Sequence, residues 1–329
     1  MPLQAKNTVI TDLLQSKLHV KRNSARSYAS QLRKLFSLVK SDGTMDNLRF
    51  LDTDEAVKVV ASLSPASRKK NMAVAALSGA RAAEFSQKRM NQYREIMLTA
   101  DQQYLKYARS GVRKKFTGSA KEHWKAITSM HKTISRVVSS RQLYKRQGLN
   151  HEEVIILQQL VYARLLAHFE PRRLEYVTLR FLSPEQIQEI GDTSSFNYIR
   201  TGPKQWTLVY NIYKTSKTYG RQEYQVPSGF RTVLKKVQRS LALVEPSGII
   251  FFNRSGRQMG FSAFSQFIKN TFKTYLNRSF TQNTVRSIYI SSVFAGLPST
   301  EKLLDMQKNM GSAITTQLTH YRVPQKKEE

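Results

Sequence analysis

The 329-residue sequence has no cysteine, which excludes disulfides and every thiolate metal site, zinc fingers included. It is poor in acid, with 23 Asp+Glu against 53 Lys+Arg. Long apolar runs are missing too: none approaches the roughly 18 residues of a membrane span. The opening MPLQAKNTVITDLLQ lacks the charged-then-apolar pattern of a signal peptide. A soluble, intracellular protein with no membrane partner is expected. No G-x-x-x-x-G-K-[ST] phosphate loop and no H-x-x-x-H pair occurs, so neither a cofactor nor a metal is expected. The one Asp-x-Asp string, Asp52-Thr53-Asp54, falls where a helix begins and reads as a cap.

What the chain does have is positive charge, a formal net +30 with a pI near 10.3. Such a surplus repels itself unless a polyanion neutralises it, and nucleic acid is the first candidate. The cations are spread along the chain, so folded faces must carry them.

The length allows two ordinary domains. From Asn7 to about Leu98 the pattern is helical. Ser24 precedes an apolar stripe at Tyr28, Leu32, Leu35, Phe36 and Val39, and Gly43 lies past its end. The opposite face carries Lys21, Arg22, Arg26, Arg33 and Lys34, which the overall charge marks as a DNA-facing side. Pro65 ends a helix begun at Asp52 or Asp54, and Ala66 to Met97 again has helical period. Two glycines and the cluster Arg113, Lys114 and Lys115 between Arg109 and Gly118 read as a linker that tracks a phosphate backbone. The expected domains are therefore 1–118, helical and DNA-binding, and 119–329.

In the second domain Ser119 starts one helix and Asn150 another, running to about Phe169. The period then changes: Phe196 to Arg200, Trp206 to Lys214 and Gln222 to Val226 read as three antiparallel strands. Helices resume over Phe230–Leu243, Ser262–Leu276, Thr284–Phe294 and Thr300–Asn309, with a short one before Tyr321. The fold class expected is mainly α (α+β), with one small antiparallel sheet.

Four strings carry chemistry. Pro171-Arg172-Arg173-Leu174-Glu175-Tyr176-Val177-Thr178-Leu179 closes a helix. Tyr213-Lys214-Thr215-Ser216-Lys217-Thr218-Tyr219-Gly220 occupies a hairpin. Gln282-Asn283-Thr284-Val285-Arg286-Ser287 opens a helix, and Leu304-Asp305-Met306-Gln307-Lys308-Asn309-Met310-Gly311-Ser312-Ala313-Ile314-Thr315-Thr316 leads to Tyr321, nine positions after Ser312. Each has an ordinary reading taken alone: cations at a helix end, a lysine guarding an edge strand, an Asn cap before a surface arginine, one tyrosine of 15. In this order they resemble the arginine boxes, hairpin lysine and terminal tyrosine of the tyrosine recombinases, over about Ser119 to the C-terminus. The Pro-Arg-Arg and Tyr-Lys-Thr forms look most like the branch found in large DNA viruses and mobile elements.

That resemblance implies a core-binding domain followed by a catalytic domain, acting as a homo-multimer, a tetrameric synapse, on double-stranded DNA. It implies that the phenol of Tyr321 attacks a phosphodiester, leaving a 3′-phosphotyrosine and a free 5′-hydroxyl, with no cofactor. Arg172 would hold the phosphate, with Glu175 as buried support and Arg173 as its substitute; Arg286 would be the second arginine. Either Lys214 or Lys217 would protonate the leaving oxygen. Asn283 and Ser312 stand where the family carries histidine or tryptophan, and neither is an efficient base near neutral pH. The arginines, a lysine and water suffice, or His320 assists, or the chain keeps the fold as a weak or inactive DNA-binding or packaging protein. A basic RNA-binding protein is a further alternative.

Overall fold

The computed structural model describes residues 3–39, 45, 48–109, 116–295 and 298–310. The chain forms two compact units, Met1–Val112 and Arg113–Glu329. The division falls inside the glycine-containing basic segment from which a linker is expected.

The first unit is helical, with α1 (Leu3–Leu18), α2 (Arg22–Val39), α3 (Asp54–Ser62), α4 (Ala66–Ala82) and α5 (Gln87–Arg109). The α2 stripe turns inward as its spacing requires: Leu32 and Leu35 are buried, and Tyr28, Phe36 and Val39 pack against the same core. The helix begins at Arg22, so Ser24 lies inside its first turn. At its centre α4 buries, beside Met72, small residues on several faces, among them Ala73, Ala75, Ala76, Gly79 and Ala80. A methyl group at Gly79 would sit 2.7 Å from Leu51 Cδ1 and 3.2 Å from Leu32 Cδ1, so the glycine lets its neighbours approach closely. The stretch of helical period from Ala66 to Met97 falls in two helices, broken where Glu84 adopts φ 57°. The Tyr93 hydroxyl on α5 donates to Leu51 O at 2.7 Å, pinning that helix to the turn before α3.

Thr53, rather than either flanking aspartate, caps α3, accepting from Ala56 N at 3.2 Å. Asp52 and Asp54 instead both pair with Arg89, at 3.3 and 3.1 Å, so one cation of a neighbouring helix offsets part of the charge of the Asp-x-Asp string. Among the described residues no cluster of three or more His, Cys, Asp or Glu is placed to hold a metal. No described helix is long and apolar enough to cross a membrane.

In the second unit α6 (Ala120–Ser140) and α7 (His151–His168) open as expected. Ser119 caps α6, and Asn150 with Glu153 forms a reciprocal capping box for α7. Helix α7 runs through the middle of the core, burying an unbroken series from Ile156 to Ala163. Beyond it come β1 (Arg180–Leu182), α8 (Pro184–Ile190), β2 (Tyr198–Arg200), β3 (Thr207–Tyr210), α9 (Ser216–Tyr219) and β4 (Gln222–Gln225). The helices α10 (Ser228–Ala242), α11 (Phe261–Leu276), α12 (Gln282–Phe294) and α13 (Thr300–Asn309) complete the described chain.

The sheet corrects the expected three antiparallel strands: it has four, in order β1-β2-β3-β4, and β1 pairs with β2 in parallel. The other two pairings are antiparallel, with Ile199 opposite Leu208 and Leu208 opposite Tyr224. The additional strand is only three residues long and is fixed from outside. Phe181 N donates to Gly248 O at 2.8 Å and Ile250 N to Leu179 O at 3.0 Å. Gly248 has φ 82° and so close an approach to the Phe181 carbonyl that no side chain fits there. Alternation in the sequence could not reveal a strand whose partners lie so far along the chain.

Candidate functional site

The first arginine string lies in the loop after α7, where the cap residue Phe169 turns extended and the chain can cross to the sheet. Tyr176 holds that loop. Arg172 N donates to the Tyr176 hydroxyl at 3.0 Å, and Tyr176 in turn reaches Glu170 O at 3.4 Å. Burial pushes the Tyr176 phenol up to about 12 and that of Tyr210 well above its ordinary value. Both rings therefore stay neutral and serve as walls.

Arg172 is 2% exposed. Its guanidinium lies 4.2 Å from the centre of the Tyr210 ring, 4.9 Å from Tyr213 and 5.7 Å from Tyr224. Nη2 donates to Gln222 Oε1 and, at 2.9 Å, to the Tyr224 hydroxyl. Among the described residues no carboxylate pairs with Arg172, and its Nη1 has no hydrogen-bond partner. Burying a cation is costly unless something offsets it, and here neutral aromatic faces and amide oxygens do so. The positive charge is held in place without being cancelled, the condition in which an anion binds it strongly.

Arg286 is 0% exposed and projects from the first turns of α12. The residue that caps this helix is Thr281, accepting from Thr284 N at 3.1 Å, and not Asn283, which is exposed one turn from the buried arginine. Arg286 Nη1 donates to Pro171 O at 3.0 Å and to Met310 O at 3.3 Å. Gln282 adds a second tie, its Nε2 donating to Arg172 O while its Oε1 accepts from Tyr162. The two arginine strings, far apart in sequence, thus meet through the Pro171-Arg172 backbone.

The end of α13 joins them. Gln222 Nε2 donates to Lys308 O at 3.1 Å and the Tyr224 hydroxyl to Asn309 Oδ1 at 3.0 Å. Met306 and Met310 pack with Tyr289 and Ile290 of α12. The described part of the fourth string therefore ends, at Met310, beside the arginine cluster. Ser312 and Tyr321 lie outside the described residues, as do Arg113, Lys114, Lys115 and His320.

Two clefts flank this cluster. One, of about 380 Å³, is lined by Arg172, His168, Phe169, Glu170, Tyr224 and Asn309 among others. His168 escapes a sequence-based reading because its position, the last residue of α7, matches no motif. Burial, then the nearby Arg164 and His131, lowers its pKa, which keeps the ring neutral near pH 7. The other cleft, of about 630 Å³, brings Lys214 and Asn283 together with Arg173 and Glu175. Tyr213 links the two, one ring resting beside the Arg172 guanidinium and lining the larger cleft.

The lysines are not on hairpin strands: Lys214 follows the end of β3, and Lys217 lies in α9, a single helical turn between β3 and β4. Both are exposed, and Lys217 lines neither cleft. Asn197, fully buried, sets the approach of this segment. Its Nδ2 donates to Glu175 O and Ile212 O, both at 3.0 Å, and its Oδ1 accepts from Asn211 N and Ile212 N, both at 2.9 Å. Of the α2 cations, Lys21, Arg22, Arg26 and Lys34 are exposed and Arg33 is half-buried.

Gln222, Tyr224 and Asn197 are thus parts of the site that the strings did not name, and Gln282 stands in the third string without an assigned role. Only Gln282, adjacent to Asn283, carried a hint of it in the sequence. Comparisons with known proteins find no matching family model, curated protein or solved structure.

Proposed function

We propose that the chain is a site-specific DNA recombinase or integrase of the tyrosine type, cutting and rejoining double-stranded DNA through a 3′-phosphotyrosyl link on Tyr321. The observation that carries this reading is the buried junction of Arg172, Arg286 and the end of α13, three segments tied by the hydrogen bonds of Arg286 and Gln222. The net charge of +30 supports a polyanionic partner.

In this mechanism the two planar guanidinium groups clamp the non-bridging oxygens of the phosphate, whose negative charge grows in the five-coordinate state. The Tyr321 phenol gives its proton to water as its oxygen bonds to phosphorus, the bond to the 5′ oxygen breaks, and Lys214 or Lys217 gives that oxygen a proton. Asn283 and Ser312 contribute hydrogen bonds to the phosphate. Rejoining reverses these steps, and because the phosphotyrosyl bond retains the energy of the diester no nucleotide cofactor is consumed. The α2 face and Arg113, Lys114 and Lys115 grip the duplex, several copies assemble on it as a tetrameric synapse, and the protein resides with the DNA.

A second reading, a recombinase-derived protein that binds or packages DNA without cutting it, is favoured by one observation. Arg172 and Arg286 are 2% and 0% exposed, and Arg286 already donates to two backbone carbonyls. A nicked suicide duplex separates the two. On the first reading the wild type forms a denaturation-resistant adduct that Tyr321→Phe eliminates, and Arg286→Lys, which keeps the charge and loses the planar fork, binds duplex while cutting poorly. Tight duplex binding with no adduct from the wild type establishes the second.

A further inference from the structure

The larger cleft holds a residue that the chemistry above does not use. Phe261, the first residue of α11, is 61% exposed, whereas the same helix commits Phe264, Phe267 and Phe272 to the core. Its ring lines the basin with Tyr213, Arg173, Lys214 and Asn283. A single exposed aromatic is ordinary on a protein surface, but this one shares a concave wall with two cations, Arg173 and Lys214.

The basin has the composition of a nucleotide site. Its volume of about 630 Å³ is within the roughly 300–1,000 Å³ of cavities that take small organic ligands. Two cations face one carboxylate, Glu175, leaving a net positive wall for a phosphate. Arg173 Nη1 and Glu175 Oε2, on residues of this wall, are buried without hydrogen-bond partners. A flat ring next to lysine and arginine is how unpaired nucleic acid is held: every base offers a face to stack, and the cations follow its backbone.

Resting on the DNA-binding reading above, we propose that this basin holds one unpaired nucleotide of the DNA, its base stacked on Phe261 and its phosphate met by Arg173 and Lys214. A paired base must first leave its stack, at a cost of a few kcal/mol. A nucleotide that is already extrahelical avoids that cost. The protein therefore selects DNA in which a base next to the bound phosphate is unpaired or easily unpaired, and it does so without reading base edges.

The test compares binding of the full-length protein to two duplexes of one sequence, one fully paired and one carrying a single extrahelical adenine, at one fixed salt concentration. The wild type is expected to prefer the bulged duplex by about tenfold, within the range that stacking a base on an aromatic ring supplies. Phe261→Ala loses that preference, Phe261→Trp keeps it, and Leu243→Ser, at a surface residue equally exposed at 61%, leaves it as in the wild type. Deoxyadenosine monophosphate at the duplex concentration does not displace the bulged DNA. Equal binding of the two duplexes by the wild type, a preference that survives in Phe261→Ala, or displacement by the free nucleotide each overturns the proposal while leaving the Tyr321 adduct test intact. Failure to bind either duplex removes the DNA reading itself.

Discussion

Two groups of arginines in this chain are placed in opposite ways. On α2, Arg22 and Arg26 stand in solvent on the outer face of an amphipathic helix, over a core of Ala25, Ala29, Leu32 and Leu35. In the second unit Arg172 and Arg286 lie inside, among tyrosine rings, glutamine amides and backbone carbonyls. The residue type is the same, but an exposed cation acts at a distance and is screened by salt, whereas a buried one acts through fixed geometry and is screened little. The first kind suits gripping a polyanion of any sequence. The second suits one oxygen at one place.

The largest test of this contrast is stability. Arg286→Ala removes the donor to Pro171 O and Met310 O and leaves a cavity, and should lower the unfolding free energy by more than about 3 kcal/mol in a denaturant titration. Arg26→Ala should stay within about 0.5 kcal/mol of the wild type. Similar losses for the two would erase the distinction. Next in size is DNA affinity: replacing Arg22, Arg26 and Lys34 together with alanine should weaken duplex binding about tenfold. The log–log slope of affinity against salt should also flatten, by roughly 0.9 for every phosphate that the protein no longer neutralises. An unchanged slope would remove α2 from the DNA-facing surface.

The smallest effect is on pH dependence, and it concerns a pair of rings in the second unit. His131 and His168 have ring centres 6.4 Å apart, and burial, helped by Arg164 for both and by Lys132 for His131, lowers the pKa of each. Folding therefore favours the neutral rings. Stability is full above the unfolded value near roughly 6.5 and declines as pH falls through it toward the lowered folded values. Between about pH 7.5 and 5 the melting temperature should drop, and the drop should shrink in the double variant His131→Gln, His168→Gln. The carboxyls whose pKa is lowered, Glu84, Glu185 and Asp192, are fully exposed and titrate below that window. A melting temperature constant across it would mean that the rings are solvated.

Much of the helical framework was legible because its signals are local. Ser119 and the Asn150–Glu153 box each satisfy amides within three residues, and α13 runs over the same Thr300–Asn309 that its spacing predicts. What was illegible depends on distant partners. The break after Ala82 has no glycine or proline at the turn; Glu84 takes the left-handed conformation and pairs with Lys17 of α1 at 2.8 Å. Strand β1 exists because Gly248 and Asn197 supply hydrogen bonds from elsewhere. The arginine strings gave the positions of Arg172 and Arg286 and nothing of their burial. Gln222 and Gln282, whose amides join those positions, are ordinary polar residues until the chain is folded.

Tyr213 gives the two clefts a shared boundary, since one face of its neighbourhood is the Arg172 guanidinium and the other the basin that contains Lys214. A ligand that displaces this ring while settling into the basin changes what Arg172 rests against. Linkage then requires reciprocity: an anion bound to Arg172 must alter the affinity of the basin's occupant by the same factor. One phenol ring would thus serve as a thermodynamic go-between, making the order in which the two clefts fill irrelevant to the total free energy and each filling a report on the other.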